Sequence, residues 1–148
     1  MAGLMRERSD DYAEAVLDIV RLIPPGKVLT YGDIAEILEQ GGPRQVGAVM
    51  ALGSEVPWWR VIRAGGKPPH GLEAAAVEHY RQESTPLRHP RAGGAATHGL
   101  GYLVDMKTAR WNPEPVDQEQ LQGIRKRLAR RLRGSGEELS EPDDAMNL

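Results

Sequence analysis

The segment with the clearest chemical character spans residues 56–62 and reads Val-Pro-Trp-Trp-Arg-Val-Ile. An indole side chain is bulky and aromatic but is not a nucleophile, so Trp58 and Trp59 can pack against a nucleobase or line a base pocket without reacting. Two adjacent tryptophans outside a helix cannot easily both face the core, so at least one is expected to line a pocket. The chain has no cysteine, which excludes disulfides, thiolate metal sites and thiol catalysis together.

The histidines and the charged residues carry less information. The four histidines, His70, His79, His89 and His98, are too scattered for a recognisable ligand spacing, so no metal site is predicted. The net charge of -2 and the pI of about 6.1 argue against nucleic-acid binding. The charges are segregated, however, because a run of cations at 125–133 precedes a run of acids at 137–144. Whole-chain charge is therefore a poor guide to the surface of the folded core.

A helix-turn-helix is predicted in the first half of the chain. Residues 31–39 form its first helix, with Thr30 as the N-cap and Asp33 as a capping-box partner. Residues 43–52 form its second helix, and two glycines before Pro43 supply the turn. An ordinary regulator that reads sequence in the major groove is one interpretation, but the second helix carries few side chains able to read base edges.

The other predicted elements flank this motif. They are a helix from Ser9 or Asp10 to the Pro24-Pro25-Gly26 turn, a strand or ordered loop at 56–62, a loop at 64–69, a helix at 72–82, an irregular stretch at 88–101, a short strand at 102–104 and an amphipathic helix at 121–133. Residues from 134 onward are expected to be disordered. We accordingly divide the chain into a domain at 1–115 and a segment at 116–148 that holds a basic amphipathic helix and an acidic tail.

Five segments of the chain occur in the same order in one known family. They are Ile-Pro-Pro-Gly-Lys-Val at 23–28, Thr-Tyr-Gly-Asp-Ile-Ala at 30–35, Pro-Arg-Gln-Val-Gly at 43–47, the segment at 56–62, and Trp111. Together they resemble the C-terminal domain of the O6-alkylguanine-DNA alkyltransferases and, more closely, the alkyltransferase-like proteins. The resemblance covers residues 12–113. It implies a mainly α fold with a short strand or two, built on a helix-turn-helix (winged-helix-like) DNA-binding domain of the alkyltransferase C-terminal type.

The resemblance also implies how DNA is bound. The second helix of the helix-turn-helix enters the minor groove, and the alkylated guanine is flipped into a pocket. The implied DNA-binding residues are Tyr31, Arg44, Gln45 and Gly47. Arg44 matches an arginine that fills the space left by the flipped base, and Tyr31 matches a tyrosine that presses on the 3′ phosphate of the target nucleotide. A half-buried aromatic at Tyr31 and a helix-packing glycine at Gly47 are the structural alternatives.

The lesion pocket implied by the resemblance contains Trp58, Trp59, Arg60, Val61 and Lys67. Trp58 stands where the alkyltransferases place the cysteine that accepts the alkyl group, so neither alkyl transfer nor a catalytic residue is predicted. Trp59 replaces the histidine of their proton relay, which agrees with lost catalysis. Close relatives place an arginine in the following loop, where Lys67 or His70 could substitute here. A buried ion pair explains Arg60 as well as a DNA contact does.

The function predicted from the sequence is non-enzymatic recognition of O6-alkylguanine in double-stranded DNA, which marks the damage for nucleotide excision repair. The expected partners are the lesion-bearing duplex and the damage-recognition proteins of that pathway, with no cofactor and no membrane. Charged residues interrupt the start of the chain and no stretch could span a bilayer, so a cytoplasmic, nucleoid-associated monomer is expected. The alternative is a helix-turn-helix DNA-binding regulator without lesion specificity.

Overall fold

Helices make up most of the structure, and short two-stranded ladders connect the segments between them. The computed structural model describes residues 2–53, 55–90 and 101–134. Within these residues the elements are the helices α1 (Ala2–Leu22), α2 (Tyr31–Leu38), α3 (Pro43–Ala51), α4 (Glu73–Glu83), α5 (Met106–Ala109) and α6 (Pro115–Leu132), and the strands β1 (Leu29–Thr30), β2 (Val61–Ile62), β3 (Leu87–Arg88) and β4 (Leu103–Val104). The prediction of a mainly α fold is confirmed.

The first helix starts earlier than the sequence pattern indicated. It begins at Ala2, and the predicted starts at Ser9 or Asp10 are wrong, because both residues lie inside the helix. Residues 2–8 are mostly strong helix formers, so the helix continues past two residues that could have capped it. The buried face of α1 carries Val16 and Ile19, which are both fully inaccessible to solvent.

The helix-turn-helix is formed by α2 and α3, as predicted. Thr30 and Asp33 make the expected capping box, in which the backbone N–H of each residue donates to the side chain of the other at 3.0 Å. Glu39 ends α2 in a left-handed conformation, with φ at 57°. Pro43 opens α3, and the Gly42 N–H donates to Gln45 Oε1 at 2.9 Å. Local caps therefore determine where both helices begin.

A parallel ladder places the tryptophan segment beside the start of the helix-turn-helix. Strand β1 pairs with β2 in the register Leu29 to Val61 and Thr30 to Ile62. Residues 56–62, predicted as a strand or ordered loop, contain one 3-10 turn at Trp58–Arg60 and then β2. Strands β3 and β4 pair antiparallel. The short strand predicted at 102–104 is confirmed, whereas β1, β3 and α5 were not predicted.

The C-terminal helix α6 packs on α1 and belongs to the same hydrophobic core. Its buried residues Leu121, Ile124 and Leu128 lie in one cluster with the buried face of α1. The helix starts at Pro115, six residues before the predicted start, because Glu114 and Asp117 form a capping box there. The division of the chain at residue 115 stays a prediction, and the acidic tail lies outside the described residues. No helix in the described part of the chain is long and apolar enough to cross a membrane.

Candidate nucleic-acid interface

The four predicted DNA-binding residues lie together on one surface. Tyr31, at the start of α2, and Arg44, Gln45 and Gly47, in the first half of α3, line a concavity of about 720 Å³ together with Gly42 and Pro43. We call this surface the α3 concavity. It is open, and it is built from the first turns of two helices whose starting points are fixed by caps.

Arg44 is the exposed cation of the α3 concavity. Within the described part of the chain it makes no hydrogen bond or ion pair, so its guanidinium is available to a ligand. Gln45 differs, because its side-chain oxygen caps the helix by accepting from Gly42. The side-chain NH₂ group of Gln45 remains available to donate hydrogen bonds to a ligand.

Gly47 presents bare backbone to the concavity. A Cβ atom built at Gly47 would meet no atom of the other described residues within 4 Å, its own stretch of helix excepted, so close packing against another described part of the protein does not require glycine here. The neighbouring exposed positions on α3 are Ala48 and Ala51. Apart from Arg44 and Gln45, the outer face of α3 therefore carries small side chains that permit close approach to a ligand.

Tyr31 is half-buried at the edge of the α3 concavity. Burial raises the pKa of its hydroxyl, while the nearby guanidinium of Arg63 acts in the opposite direction. The net result is a pKa above the ordinary value of 10.0, so the hydroxyl stays protonated at neutral pH. A neutral phenol can donate a hydrogen bond to a phosphate oxygen without repelling it.

Trp58 lines a second, more enclosed cavity of about 310 Å³ at the other end of α3. The side chains that line it are apolar apart from the indole N–H, and the lining residues are Leu17, Val49, Met50, Ala51, Gly53, Val56, Trp58 and Leu72. We call it the Trp58 cavity. Helix α3 thus contributes its first half to the α3 concavity and its second half to the Trp58 cavity.

Trp59 does not line this cavity and instead contacts other side chains of the protein. Its ring stacks on His79 at a centroid distance of 3.6 Å and meets the Trp58 ring edge-to-face at 5.5 Å. Its indole N–H donates to Glu83 Oε2 at 2.9 Å. The polar N–H of a partly buried indole needs a hydrogen-bond acceptor, and for Trp59 that acceptor is the Glu83 carboxylate.

Arg60 is held in a buried ion pair with the same carboxylate. Its Nε and Nη2 donate to Glu83 at 3.1 and 2.6 Å, and its Nη1 donates to the Ile23 carbonyl at 2.8 Å. The side chains of Arg60 and Glu83 are only 14% and 12% exposed. Of the two interpretations of Arg60, the structure shows the buried ion pair.

Val61 and Lys67 also lie away from the Trp58 cavity. Val61 is 1% exposed and pairs with β1, and the backbone carbonyl of Lys67 accepts from the Arg63 N–H at 2.8 Å. Trp59, Arg60, Val61 and Lys67 thus do not line the Trp58 cavity, and their assignment to a lesion pocket stays a prediction. The physical reason is that the turn at Trp58–Arg60 points successive side chains in different directions, and only Trp58 reaches the cavity.

Glu83 is the residue of this site that the sequence analysis missed. Burial raises the pKa of its carboxyl, but hydrogen bonds from Arg60, the Gly26 N–H and Trp59 outweigh that effect and leave the pKa below its ordinary value. His79 stands four residues earlier on α4, so the two side chains contact Trp59 from one helix face. The four-residue spacing of His79 and Glu83 was the available signal in the sequence, but no local pattern connects these two residues to the tryptophans.

Comparisons with known proteins agree on one relationship. The family described as "6-O-methylguanine DNA methyltransferase, DNA binding domain" matches residues 11–84. The DNA base-flipping protein of Escherichia coli is 35% identical over 112 residues, covering 72% of this chain and 78% of that protein. The DNA base-flipping protein of Vibrio parahaemolyticus is 39% identical over 108 residues, covering 70% of this chain and 99% of that protein.

One solved complex shares the fold. The crystal structure of Schizosaccharomyces pombe Atl1 with damaged DNA containing O6-carboxymethylguanine matches with a TM-score of 0.59 and 29% identity, covering 70% of this chain and 97% of that chain. The shared region includes most of the described residues.

Proposed function

This chain belongs to the family of the 6-O-methylguanine-DNA methyltransferase DNA-binding domain, and we propose that it is an alkyltransferase-like member that binds duplex DNA and recognises O6-alkylguanine without repairing it. Relatives named for base flipping, and a relative seen on damaged DNA, support DNA binding with lesion recognition. Flipping the damaged guanine out of the duplex costs a few kcal/mol of stacking, which the protein must recover from its own contacts.

The single observation that carries this proposal is the position of Trp58 relative to Arg44. Arg44 lines the α3 concavity, which the first half of α3 forms. Trp58 lines the Trp58 cavity, to which the second half of α3 contributes. In this proposal Arg44 fills the gap in the stack, and the Trp58 cavity receives part of the extruded nucleotide. Met50 lies six positions after Arg44 on the helix, about 9 Å along the axis, which is a short distance for a flipped base to cover.

Trp58 also explains why the proposed function is recognition rather than repair. Alkyl transfer requires a nucleophile, and the indole at this position cannot accept an alkyl group. The other described side chains that line the cavity are aliphatic apart from the thioether of Met50, and none of them is a thiol, hydroxyl or amine. The lesion would therefore leave the complex unchanged, so we further propose that the complex marks the site for nucleotide excision repair proteins.

A titration tests the function directly. Two duplexes that differ only in one base, guanine or O6-methylguanine, are titrated with the full chain at several salt concentrations, because phosphate contacts make any single affinity salt-dependent. We expect tighter binding to the lesion duplex at every salt concentration. In parallel, the methyl group is radiolabelled, and the label should stay on the DNA.

Equal affinity for the two duplexes would contradict lesion recognition and favour the alternative, a DNA-binding regulator without lesion specificity. Label on the protein would contradict the absence of alkyl transfer. The two readouts are independent, so each part of the proposal can fail alone.

A further inference from the structure

The cations of helix α6 fall into two groups. Those of the first group bind neighbouring helices: Arg125 donates to the Ile37 carbonyl of α2 at 2.8 Å. Arg131 likewise donates to Glu14 of α1 at 3.1 Å. The second group consists of three exposed residues that make no hydrogen bond or ion pair with the described residues. Its members are Lys126, Arg130 and Arg133.

These three cations form one stripe along the helix, which we call the α6 stripe. They stand at positions i, i+4 and i+7, and Arg133, the C-cap, keeps helical backbone angles, so all three lie on the same side of α6. The buried side chains of the helix lie on the opposite side. At 1.5 Å of rise per residue the stripe is about 10 Å long. Its like charges repel one another, and an anion that spans them relieves this repulsion.

The C-terminal end of the α6 stripe lies close to the turn that leads into α3. Arg131 contacts Asp11 and Glu14 of α1 at 4.0 and 3.1 Å. Tyr12, which lies between these two acids in sequence, donates to the Gln40 carbonyl at 3.1 Å. The last turn of α6 is therefore connected to the helix-turn-helix through a single turn of α1.

The separation between α3 and α6 suits a duplex. Both helices pack on α1, and packed helices lie about 8–10 Å apart, so the axes of α3 and α6 are within about 20 Å of each other. One turn of duplex DNA is about 34 Å long. A duplex held at the α3 concavity is therefore long enough to meet the α6 stripe.

The α3 concavity by itself offers little charge to phosphates. Among the described residues that line it, Arg44 is the only cation, and the whole chain has a net charge of -2. Contacts between cations and phosphates supply most of the affinity of proteins for undamaged DNA. The α6 stripe adds three cations, and it lies outside residues 11–84, which the family match covers.

We propose that the α6 stripe is a second DNA-binding surface, which contacts backbone phosphates of the duplex on one side of the flipped base. Phosphate contacts position a duplex and carry no sequence information, so the stripe lengthens the footprint and strengthens binding to damaged and undamaged DNA alike. The inference rests on the proposed function in that the duplex must be held at the α3 concavity.

Two variants with the same charge change test the contact. The stripe variant replaces its three cations with glutamine, which has nearly the same helix propensity. The control variant replaces three exposed cations of other helices with glutamine. The substitutions are Lys126→Gln, Arg130→Gln and Arg133→Gln in the stripe variant, and Arg21→Gln, Arg81→Gln and Lys107→Gln in the control variant.

Salt dependence is the first measurement. The wild-type chain and both variants are titrated with duplexes containing guanine or O6-methylguanine at several salt concentrations. Each lost phosphate contact lowers the slope of log affinity against log salt by about 0.9, so the slope of the stripe variant should be shallower by about two to three. Its affinity at low salt should fall about tenfold or more for both duplexes. The ratio of lesion to undamaged affinity should stay as in the wild type.

The position of the lesion in the duplex is the second variable. Two duplexes of equal length carry O6-methylguanine near one end, so that the long flank is on the 5′ side in one and on the 3′ side in the other. The stripe variant should lose affinity for only one of them, because the stripe lies to one side of α3. The control variant should affect both equally.

The variants should fold, because the three stripe side chains have no partner among the described residues. Urea denaturation should give the wild-type midpoint. Arg130→Gln alone, which should lower the salt slope by about one, repeats the test with a single exposed substitution. An unchanged slope in this variant and in the triple variant would overturn the inference.

The remaining outcomes separate the inference from the function. An equal loss of slope in the control variant would trace the effect to net charge and overturn the inference. Equal losses for the two offset duplexes would contradict a contact on one flank. If the wild-type chain binds guanine and O6-methylguanine duplexes equally while the stripe variant alone has a shallower slope, lesion recognition fails and the second DNA-binding surface stands.

Discussion

The indole N–H of Trp59 donates to Glu83 at 2.9 Å, and the same carboxylate accepts two hydrogen bonds from Arg60. Glu83 also accepts from the Gly26 N–H at 3.0 Å. One carboxylate thereby connects the tryptophan turn, helix α4 and the loop that precedes β1. This connection fixes the orientation of Trp59, and Trp59 in turn packs edge-to-face on Trp58. Glu83 thus supports the wall of the Trp58 cavity without touching it.

Replacing Glu83 should destabilise the whole fold. In Glu83→Ala the Arg60 guanidinium is left buried without its counterion, which typically costs about 3–5 kcal/mol of unfolding free energy. The measurement is urea denaturation. The matched control is Glu78→Ala on the same helix, whose pair with Arg81 is exposed on both sides and should contribute about 0.5 kcal/mol or less. Equal losses in the two variants would show that the Glu83 cluster is not a stabilising network.

The free energy of unfolding should decrease at acid pH because Glu83 becomes protonated. The pKa of Glu83 lies below its ordinary value of 4.5 in the folded protein, so the unfolded chain binds the proton more readily. The stabilisation is therefore fully present above about pH 4.5 and is lost as the pH falls through the lower folded pKa. Unfolding free energies between pH 7 and pH 3 measure this, with Glu83→Gln as the comparison. The difference between the two proteins should shrink below pH 4.5, and a constant difference would contradict the assignment.

Restoring a cysteine should not by itself restore alkyl transfer. Trp58→Cys provides a thiol, but Trp59 cannot act as the base that generates a thiolate. In Trp58→Cys with Trp59→His, an imidazole replaces the indole that now donates to Glu83, and this carboxylate can orient it. We expect label from radiolabelled O6-methylguanine DNA on the double variant only. Trp58→Ala with Trp59→His is the control without a nucleophile, and transfer by the single cysteine variant would contradict the prediction.

Substitutions at Arg44 should lower lesion selectivity rather than overall affinity alone. Arg44→Ala should lose about 1–3 kcal/mol of binding to the lesion duplex, the scale of a stacked or hydrogen-bonded base contact. Arg44→Lys is the decisive variant, because it keeps the charge and loses the planar fork. The measured quantity is the ratio of lesion to undamaged affinity, which should fall in both variants. A lysine variant with an unchanged ratio would reduce Arg44 to a phosphate contact.

Gly47→Ala should stabilise the protein while weakening DNA binding. Outside its own stretch of helix, the added Cβ meets no atom of the described residues within 4 Å, and alanine is favoured over glycine in a helix by about 1 kcal/mol. The same methyl group would face a closely approaching DNA backbone. Gly123→Ala on α6 is the control, since its nearest contact is Arg127 Nη1 at 3.8 Å, and it should not alter DNA affinity. Unchanged binding by Gly47→Ala would show that α3 does not approach the DNA closely at this residue.

The sequence by itself determined the helix-turn-helix, because the signals that define it are local. Thr30 and Asp33 cap α2 across three residues, and Pro43 opens α3 directly after two glycines. Local signals were less decisive at Ser9, where several residues can start a helix and the strongest local propensity extends it to Ala2. The absence of a thiol, and hence of thiol chemistry, also followed from composition alone.

Only the tertiary structure separated the roles of the two tryptophans. Their sequence positions are equivalent, and the difference between them arises from Glu83, which lies 24 residues after Trp59 and 23 after Arg60. Local propensity cannot specify that a carboxylate on α4 returns to this turn, because the approach depends on how α4 packs. The apolar wall around Trp58 has the same origin: it combines α1, α3 and the start of α4, and such a surface exists only once the helices are assembled.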